Sequence, residues 1–485
     1  MKIAFCSSEV VPFVKTGGLA DVAGALPIEL KSLGAEIIVL LPLYGSIDYR
    51  KFRIKKTPGI NDFYVSINGK NHMVGLFECR FPETNVKAYF IDCPEFFQRE
   101  LIYTNESDEA DRFICFSRAS LEAIQRLRFE PDIIHCNDWQ TGLIPLYLKE
   151  NYSWDNLFKK TKTLLTIHNI GYQGLFPPEK VKAADINPDY FTPLGPVEWY
   201  GQLSFLKTGL MFADYLSTVS ETYASEILTE EFGGGMHEIL NKRKKELFGI
   251  LNGVDYKIWN PETDELLVQK YNPDELKGKA ENKKSLMENA GLEFDENEPL
   301  IGLISRMVSQ KGFDLISESI DELLKLKAKY IFLSGGDGKY ERFFKNISQT
   351  YPDKFKLYTG YNEELAHRIE AGSDIYLMPS MYEPCGLNQI YSLKYGTVPV
   401  VRKTGGLADT VIDWGNKKSN AGNKGTGFVF KKFDSKDMMK AVKTAVKTFG
   451  DKEAWSKLQQ NGMKAEYSWE KSAKKYIELY EKMLS

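Results

Sequence analysis

Short apolar runs rich in β-branched residues recur along the chain, and each is followed by a loop and then a helical pattern. Continuous apolar runs are typical of strands in a parallel sheet, because the helices of successive βαβ units cover both faces of the sheet. In the first half the runs are Lys2–Ser8, Glu36–Leu41, Val86–Asp92, Asp132–Asn137, Thr163–His168 and Tyr215–Val219. In the second half they are Leu300–Ser305, Tyr330–Ser334, Lys356–Tyr358, Asp374–Met378 and Val398–Arg402. Two consecutive series predict an α/β protein with two doubly wound, Rossmann-like domains.

The length of the chain also favours two domains. It has 485 residues, and a single hydrophobic core stops growing at about 250–300 residues. A hinge is expected near Leu247–Pro261, where a strand ends in the turn-forming pair Asn252-Gly253. We therefore predict a first domain over residues 1–248, a second over 249–458 and a helical C-terminal segment over 459–485.

The C-terminal segment carries an apolar stripe. Tyr476, Leu479, Tyr480 and Met483 fall at helical spacing, so this face must pack on another part of the protein. The segment could cap the second domain or cross back to the first, and the pattern alone does not decide between them.

The composition excludes several functional classes. The formal net charge is −3 and the pI is about 6.1, so the basic excess of a nucleic-acid-binding protein is missing. No apolar run reaches the roughly 18 residues of a membrane span, and the N-terminus enters a strand without signal-peptide character. The six cysteines form no C-x-x-C pair, so we expect reduced thiols, no metal site and a cytoplasmic location.

One seven-residue motif occurs twice. Residues 15–21 and 403–409 both read Lys-Thr-Gly-Gly-Leu-Ala-Asp, each after a strand and before a helical pattern. Glycine pairs at the carboxyl end of a parallel strand let backbone N–H groups approach an anion, which the next helix N-terminus also favours. Gly17-Gly18, Gly405-Gly406 and a third pair, Gly335-Gly336, fit this pattern. The alternative is a strand-to-helix turn that needs two glycines for structural reasons.

The first strand is not followed by a known nucleotide-binding fingerprint. Neither G-x-G-x-x-G nor G-x-x-x-x-G-K-[ST] accompanies it, which argues against a nicotinamide-dependent dehydrogenase and a P-loop NTPase. In open α/β folds, ligands bind beyond the carboxyl ends of the strands. We therefore expect a site between two such sheets.

Two segments of the second half carry charged groups suited to phosphates and sugars. Arg306 and Lys311 follow a strand, and a guanidinium fork together with an ammonium suits a diphosphate. Glu383 lies in the loop Pro379–Gln389, where a carboxylate can accept hydrogen bonds from two sugar hydroxyls. The alternatives are a solvated loop for the two cations and, for Glu383, a helix N-terminal acid that offsets the macrodipole.

Polar side chains also follow two strands of the first half. One strand ends at His135 and Asp138, and the next ends at His168 and Asn169. The strand carboxyl ends are where a ligand of a parallel sheet binds, although a structural role for either histidine stays open. We find no metal pattern such as H-E-x-x-H, and no Asp-x-Asp of the kind used by metal-dependent sugar-nucleotide transferases.

Taken together, these motifs resemble those of the bacterial glycogen synthases and plant starch synthases. The resemblance extends over essentially the whole chain, and seven segments occur in the order of that family: KTGGLADVAGALP, HCNDWQTGLIP, TIHNIGYQG, NGVD, SRMVSQKG, EPCGLNQ and YGTVPVVRKTGGLADTV. The resemblance implies the GT-B architecture, in which two doubly wound Rossmann-like domains face each other across a deep cleft. It implies an N-terminal domain on the acceptor side, a C-terminal domain on the nucleotide-sugar side, and a C-terminal helix that crosses back to the N-terminal domain.

The resemblance assigns catalytic roles to five residues. Arg306 and Lys311 would hold the donor's diphosphate and stabilise it as it leaves. Glu383 would bind the hydroxyls of the sugar. His168 would lie against the transferred glucose, and Asp138 would help to orient it.

It also implies a set of substrate-binding residues in the same motifs. They are Lys15, Gly18, Asp21, Asn169, Asn252, Tyr361, Cys385, Gly386 and Leu387. Lys15 and Gly18 would contact the diphosphate from the first domain. Cys385 and Gly386 would line the sugar pocket, and Tyr361 would stack on adenine.

The implied activity is transfer of glucose from ADP-glucose to the non-reducing end of an α-1,4-glucan with retention of configuration. Glycogen or a maltooligosaccharide would be the acceptor, and no cofactor, metal, nucleic acid or membrane is expected to take part. We find no clear carboxylate that could act as the nucleophile of a covalent intermediate. We therefore favour front-face transfer, in which the acceptor attacks from the side that the diphosphate leaves. The alternatives are a UDP-glucose-using transferase of the same fold and a non-catalytic glucan- or nucleotide-binding protein.

Two positions depart from the family pattern. Gln140 stands where bacterial members often have His, and Met381 stands where Arg often precedes the aromatic-Glu-Pro run. Neither position carries an assigned catalytic role. The departures therefore bear on acceptor preference rather than on the reaction.

Overall fold

The computed structural model describes residues 1–360, 362–415 and 424–485. These residues form two compact units, one of Met1–Gly253 with Trp469–Ser485 and one of Val254–Ser468. The predicted boundaries after residues 248 and 458 fall inside a strand and a helix. The chain instead passes from one unit to the other after Gly253 and again after Ser468.

The first unit is built around a mixed sheet. Its strands are β1 (Lys2–Cys6), β2 (Glu36–Pro42), β3 (Lys55–Lys56), β4 (Phe63–Ile67), β5 (Lys70–Arg80), β6 (Lys87–Asp92), β7 (Ile133–Asn137), β8 (Lys162–Ile167), β9 (Leu175–Phe176), β10 (Glu198–Trp199), β11 (Gln202–Ser204), β12 (Tyr215–Thr218) and β13 (Leu247–Gly249). Its helices include α1 (Gly18–Ser32), α2 (Pro94–Phe97), α3 (Glu109–Arg126), α4 (Ile144–Lys149), α5 (Lys180–Ala183), α6 (Phe205–Phe212), α7 (Glu221–Glu226) and α8 (His237–Lys242).

The strand order of the main sheet is β13-β12-β8-β7-β1-β2-β6-β5-β3, with β4 paired to β5. The strands from β13 to β6 run parallel, and β3, β4 and β5 are antiparallel additions at one end. The parallel strands β1, β2 and β7 are almost wholly buried, as continuous apolar runs require. In β4, by contrast, alternate residues are buried, so this strand has one solvent face. A small antiparallel sheet, β10-β11-β9, is separate.

The second unit contains a fully parallel sheet. Its strands are β14 (Leu300–Met307), β15 (Lys329–Gly336), β16 (Phe355–Tyr358), β17 (Ile375–Met378), β18 (Val398–Arg402) and β19 (Phe428–Phe430). Its helices are α9 (Lys277–Asn289), α10 (Phe313–Glu318), α11 (Ile320–Lys325), α12 (Gly338–Thr350), α13 (Glu363–Gly372), α14 (Asn388–Lys394), α15 (Gly405–Thr410), α16 (Ser435–Phe449) and α17 (Lys452–Met463). The strand order is β16-β15-β14-β17-β18-β19. The α/β class with two doubly wound units is therefore confirmed.

The last helix, α18 (Trp469–Leu484), belongs to the first unit. Its apolar stripe is buried there: Tyr476, Leu479, Tyr480 and Met483 are almost inaccessible to solvent. The hydroxyl of Ser472 donates a 2.6 Å hydrogen bond to the carbonyl of Leu251, and Lys475 pairs with Glu221 at 2.7 Å. The stripe thus completes the core of the first unit.

Candidate active site

The predicted site residues of the first unit lie on loops that follow adjacent strands. β8, β7 and β1 are neighbours in the sheet, so the loops after their carboxyl ends meet at one edge. The loop after β1 carries Lys15, Gly18 and Asp21, the loop after β7 carries Asp138, and the loop after β8 carries His168 and Asn169.

The glycine-rich loop after β1 folds around Glu9. This buried carboxylate accepts hydrogen bonds from the backbone N–H of Thr16, from the Thr16 hydroxyl at 2.8 Å and from the N–H of Gly17 at 3.0 Å. The hydroxyl of Tyr103 donates to the other oxygen of Glu9 at 3.2 Å. The N–H of Gly17, one of the two glycines of the predicted anion cradle, is therefore bonded to a carboxylate of the protein itself, as is the N–H of the preceding Thr16.

Gly18 remains open at the start of α1. A Cβ atom at Gly18 would meet no described atom within 4 Å, and Gly17 provides no side-chain cap for the helix. The first N–H groups of a helix lack intrahelical partners and attract anions. Beside them, the ammonium of Lys15 donates to Asp21 at 2.7 Å in a partly exposed ion pair. Such ion pairs contribute little to stability. A phosphate could therefore replace Asp21 as the partner of Lys15 at a small cost in free energy.

Asp138 links the loops after β7 and β8. Its carboxylate accepts the backbone N–H of His168 at 2.7 Å, and its own N–H donates to the carbonyl of Thr166 at 2.9 Å. Its φ of 54° lies in the left-handed region that a non-glycine residue rarely adopts, and such strain is typical of functional sites. Burial raises the pKa of Asp138 to about 7, against the opposing effect of the N–H groups of His168 and Asn169.

His168 is held in one tautomer by Asn137. The side-chain nitrogen of Asn137 donates to the carbonyl of Cys6 at 2.9 Å, which leaves the amide oxygen to face Nε2 of His168, also at 2.9 Å. Nε2 of His168 is therefore the protonated nitrogen, and Nδ1 is free to accept a hydrogen bond. Burial lowers the pKa of His168 to about 3, so the imidazole is neutral at physiological pH.

The other candidate histidine has a structural role. His135 is fully buried, with Nδ1 at 2.7 Å from the Tyr480 hydroxyl and Nε2 at 2.6 Å from the Thr166 hydroxyl. It connects α18 to the sheet instead of facing a ligand. Asn169 uses its side-chain oxygen to accept the N–H of Gly171 at 3.0 Å, which shapes its own loop.

Asn252, the predicted hinge and substrate-binding residue, lies at the end of the first unit. It is buried, and its side-chain oxygen has no hydrogen-bond partner within the described ranges. A buried amide oxygen without a partner is unusual and costs free energy. Its orientation toward a substrate stays a prediction.

In the second unit, Lys311 and Glu383 form the centre of the predicted site. β14 and β17 are adjacent in the sheet, so the loops that follow them meet. The ammonium of Lys311 donates to the carboxylate of Glu383 at 2.6 Å, and the hydroxyl of Ser380 donates to the same oxygen at 3.0 Å. Glu383 is buried, and the pair is largely removed from solvent.

The backbone around this pair is fixed by several contacts. The N–H of Met381 donates to the carbonyl of Gln310 at 2.8 Å, which joins the two loops. The guanidinium of Arg402 donates to the carbonyl of Met381. Gly312 has a φ of 79°, and a Cβ atom there would collide with the carbonyl oxygen of Pro379. Only glycine fits at this crossing of the two loops.

The second glycine pair has a different function from the first. A Cβ atom at Gly405 would collide with the carbonyl of Glu383, and one at Gly406 would collide with that of Cys385. The N–H of Gly406 donates to the carbonyls of Glu383 and Pro384, both at 3.1 Å. The expectation of an anion cradle is wrong for Gly406, because its N–H holds the Glu383 loop in place. The structural alternative explains this copy.

The third glycine pair is also engaged within the protein. The N–H of Gly336 donates to the carboxylate of Glu341 at 3.1 Å. The N–H of Gly336 was expected to bind an anionic ligand, but it is bonded to the Glu341 carboxylate of the protein itself. Glu9 does the same for the N–H of Gly17 in the first unit.

The remaining residues of the Glu383 loop form the turn into α14. Cys385 is buried, and its carbonyl accepts the side-chain N–H of Gln389 at 3.1 Å. Gly386 has a φ of 71°, and Leu387 precedes the helix as its N-cap residue. Whether these residues line a sugar pocket stays a prediction.

Arg306 lies near the carboxyl end of β14 and is exposed. Within the described part of the chain its guanidinium makes no hydrogen bond or ion pair, so its donors are available to a ligand. Tyr361, which was expected to stack on adenine, lies outside the described residues.

Three residues that shape these loops were not predicted. Glu9 follows β1 by three residues, Asn137 is the last residue of β7, and Arg402 is the last residue of β18. All three are buried polar side chains at a strand's carboxyl end. A search for polar residues at every strand end, rather than in recognised motifs only, would have found them.

Two further observations concern metals and membranes. No group of three His, Cys, Asp or Glu side chains in the described ranges is arranged to hold a metal ion. Every helix in those ranges is too short or too polar to span a bilayer.

Comparison with known proteins relates both units to one class of enzymes. A family model described as starch synthase catalytic domain matches residues 2–242, and one described as glycosyl transferases group 1 matches residues 287–464. The glycogen synthase of Koribacter versatilis is 44% identical over 486 residues, which cover 99% of this chain and 98% of that protein. The glycogen synthase of Thermotoga maritima is 43% identical over 490 residues, which cover 100% and 99%.

Solved structures agree with this relationship. The catalytic domain of starch synthase IV from Arabidopsis thaliana, bound to ADP and acarbose, matches with a TM-score of 0.91 at 32% identity over 100% of this chain and 99% of that chain. Sucrose-phosphate synthase from Thermosynechococcus elongatus matches with a TM-score of 0.58 at 16% identity over 99% and 98%, which is a likeness of fold alone. The predicted GT-B architecture is thus confirmed. The chain is a glycosyltransferase and belongs to the family of the bacterial glycogen synthases and plant starch synthases.

Proposed function

We propose that the protein transfers glucose from ADP-glucose to the non-reducing end of an α-1,4-glucan, with retention of configuration. The observation that carries the proposal is the largely buried pair of Lys311 and Glu383 at 2.6 Å. The same unit carries Arg306, whose guanidinium has no partner among the described residues. This arrangement offers cations to a diphosphate and a carboxylate to sugar hydroxyls at one sheet edge. The ADP and acarbose bound to the related starch synthase support the same pair of ligands here.

In the proposed reaction the bond between glucose C1 and the diphosphate oxygen breaks as the acceptor hydroxyl oxygen bonds to C1 on the same face. The hydroxyl proton passes to the departing diphosphate. Negative charge therefore grows on the diphosphate, and Arg306 and Lys311 would stabilise it in a site that excludes water. Lys15 and the start of α1 at Gly18 would contact the same diphosphate.

The sugar would develop positive charge at C1, and a neutral neighbour suits that charge better than a cation. His168 is neutral because its pKa is about 3, and Asn137 fixes its tautomer with Nδ1 unprotonated. We assign His168 to contact with the transferred glucose. Asp138 would orient it by holding the backbone of the same loop.

We further propose that the reaction needs no metal and no cofactor, since the side chains of Lys15, Arg306 and Lys311 supply the positive charge that a metal would otherwise provide. A cytoplasmic location is also proposed. All six cysteines are unpaired, which suits a reducing compartment.

The test is incorporation of labelled glucose into glycogen from ADP-glucose and from UDP-glucose in parallel, each with and without EDTA. We expect incorporation from ADP-glucose that EDTA does not reduce. Incorporation from UDP-glucose alone would overturn the proposed donor, and loss of activity with EDTA would overturn metal independence. No incorporation from either donor by folded protein that still binds glycogen would favour a binding protein.

A further inference from the structure

A short hairpin in the first unit carries a residue that its turn does not favour. β10 and β11 are antiparallel and joined by Tyr200-Gly201, with Trp199 paired to Gln202 across the turn. Both turn residues have positive φ, 49° for Tyr200 and 78° for Gly201. Two-residue turns of this kind favour Asn-Gly, Asp-Gly or Gly-Gly, because both positions need the left-handed region. A bulky tyrosine at the first position is an outlier.

Neither burial nor a hydrogen bond within the described ranges explains why this position is a tyrosine. The side chain is 83% exposed, so it contributes little to the core. Its hydroxyl makes no hydrogen bond within those ranges. Strained backbone positions cluster at active sites and ligand-binding sites. The ring packs edge-on against Trp199, with centroids 4.8 Å apart at 70°, so two aromatic groups lie together at the hairpin tip.

The hairpin is held rigidly. One oxygen of the Glu198 carboxylate accepts the N–H of Leu194 at 3.0 Å, and the other accepts the N–H of Gly201 at 2.6 Å. The ammonium of Lys207 donates to the carbonyl of Glu198 at 2.6 Å and lies 5.2 Å from the ring centre of Trp199. The two rings are therefore pre-organised, which lowers the entropic cost of binding a ligand.

The hairpin is also joined to the loop that carries His168. The hydroxyl of Ser204 donates to the carbonyl of Gln173 at 3.0 Å, and the N–H of Phe205 donates to the carbonyl of Gly174 at 3.0 Å. β11 pairs with β9, which begins immediately after Gly174. Tyr172 on that loop is exposed as well. The hairpin is thus hydrogen-bonded to the loop that carries His168 in the candidate active site of the first unit.

We propose that Tyr200, supported by Trp199, binds the α-glucan acceptor at a glucose residue remote from the reacting end. The inference rests on the proposed function and extends it to the path of the acceptor chain. A glucose ring has C–H groups that pack on an aromatic face and hydroxyls that stay in water, and the exposed ring of Tyr200, supported by the partly buried Trp199, suits such a ligand. The surface of two side chains is far smaller than the roughly 800 Å² per partner of a stable protein interface, which argues against a protein as the occupant.

The test exploits the unfavourable turn. Tyr200→Asn places a preferred residue in the left-handed position, so the variant should fold with an unchanged or higher thermal midpoint. We expect its affinity for glycogen and for maltoheptaose, measured by affinity electrophoresis and calorimetry, to fall about three- to ten-fold, the scale of one aromatic contact. In kinetic assays the loss should appear in KM for glycogen rather than in kcat. Tyr200→Phe keeps the ring and should bind as the unaltered protein does.

The matched control is Tyr64→Asn, which removes another exposed tyrosine on β4 of the same unit and should leave glycogen affinity unchanged. Unchanged affinity in Tyr200→Asn would overturn the proposal, as would an equal loss in Tyr200→Phe. Binding is measured without donor, so it is independent of the transferase activity. Absence of glucose transfer by the unaltered protein would refute the proposed function, whereas the binding comparison would still test the hairpin.

Discussion

The ammonium of Lys311 and the carboxylate of Glu383 lie 2.6 Å apart, although 72 positions separate them in the chain. Each compensates the charge of the other in a site largely removed from solvent. A diphosphate and a sugar would replace these partners, so we expect donor binding to exchange this ion pair for contacts with the substrate.

The first prediction concerns Lys311→Ala. We expect kcat with ADP-glucose to fall about 10²- to 10³-fold, because one stabiliser of transition-state charge is lost. Initial rates at saturating glycogen measure the effect. The matched control is Lys339→Ala, which removes an exposed lysine of the same unit and should have the activity of the unaltered protein. Near-normal turnover in Lys311→Ala would show that Lys311 does not stabilise the leaving group.

The second prediction concerns the tautomer of His168. Asn137→Asp places a carboxylate next to Nε2, which favours the imidazolium and should raise the pKa of His168 from about 3. A cation beside the developing charge at C1 should then lower kcat, and more strongly at lower pH. Histidine NMR titration and pH–rate profiles measure both effects. Asn156→Asp, at an exposed position of the same unit, serves as the control. If the ratio of kcat between Asn137→Asp and the unaltered protein does not change with pH, the assignment of His168 is contradicted.

The third prediction concerns the pH dependence of stability. Burial raises the folded-state pKa of Asp138 to about 7 from its ordinary value of 3.8, so between these values the folded state holds a proton that the unfolded state has lost. Stability therefore falls as the pH rises through this window. Asp138→Asn removes the effect, so its free energy of unfolding relative to the unaltered protein should rise from pH 4 to pH 7 and then level off. Urea unfolding across this range measures the difference, and a constant difference would contradict it.

The fourth prediction separates the two copies of the repeated motif. Gly406→Ala should lower the thermal midpoint, because the added Cβ atom collides with the carbonyl of Cys385. Gly18→Ala meets no described atom within 4 Å and should keep or slightly raise the midpoint, while weakening donor binding if a phosphate approaches that helix end. Calorimetry and KM for ADP-glucose measure the two effects. Equal destabilisation by both substitutions would contradict the different roles.

The buried strands could be predicted from the sequence because a strand covered on both faces needs a continuous apolar run. β4 and β5 were not predicted, since alternate residues of β4 face solvent and the apolar signal is diluted. The antiparallel end of the first sheet was therefore found only in the structure.

The site could be predicted only in part. The loops were identified because glycines, histidines and charged residues follow strands, but local sequence does not determine which acceptor a backbone N–H meets. In the first copy Gly17, the third residue of the motif, donates to Glu9. In the second copy Gly406, the fourth residue, donates to the carbonyl of Glu383, although the two motifs are identical. The partner in each case lies outside the motif, and its position depends on the order of strands in the sheet.

The return of α18 to the first unit has a consequence for synthesis of the chain on the ribosome. His135 and its partner Tyr480 are 345 positions apart, and the core of the first unit stays open until α18 emerges. At translation rates of roughly 5–20 residues per second, synthesis of residues 254–468 takes roughly 10–40 s. During that interval the surface that receives Tyr476 and Tyr480 is uncovered, so the first unit completes its core only after the whole second unit has been made.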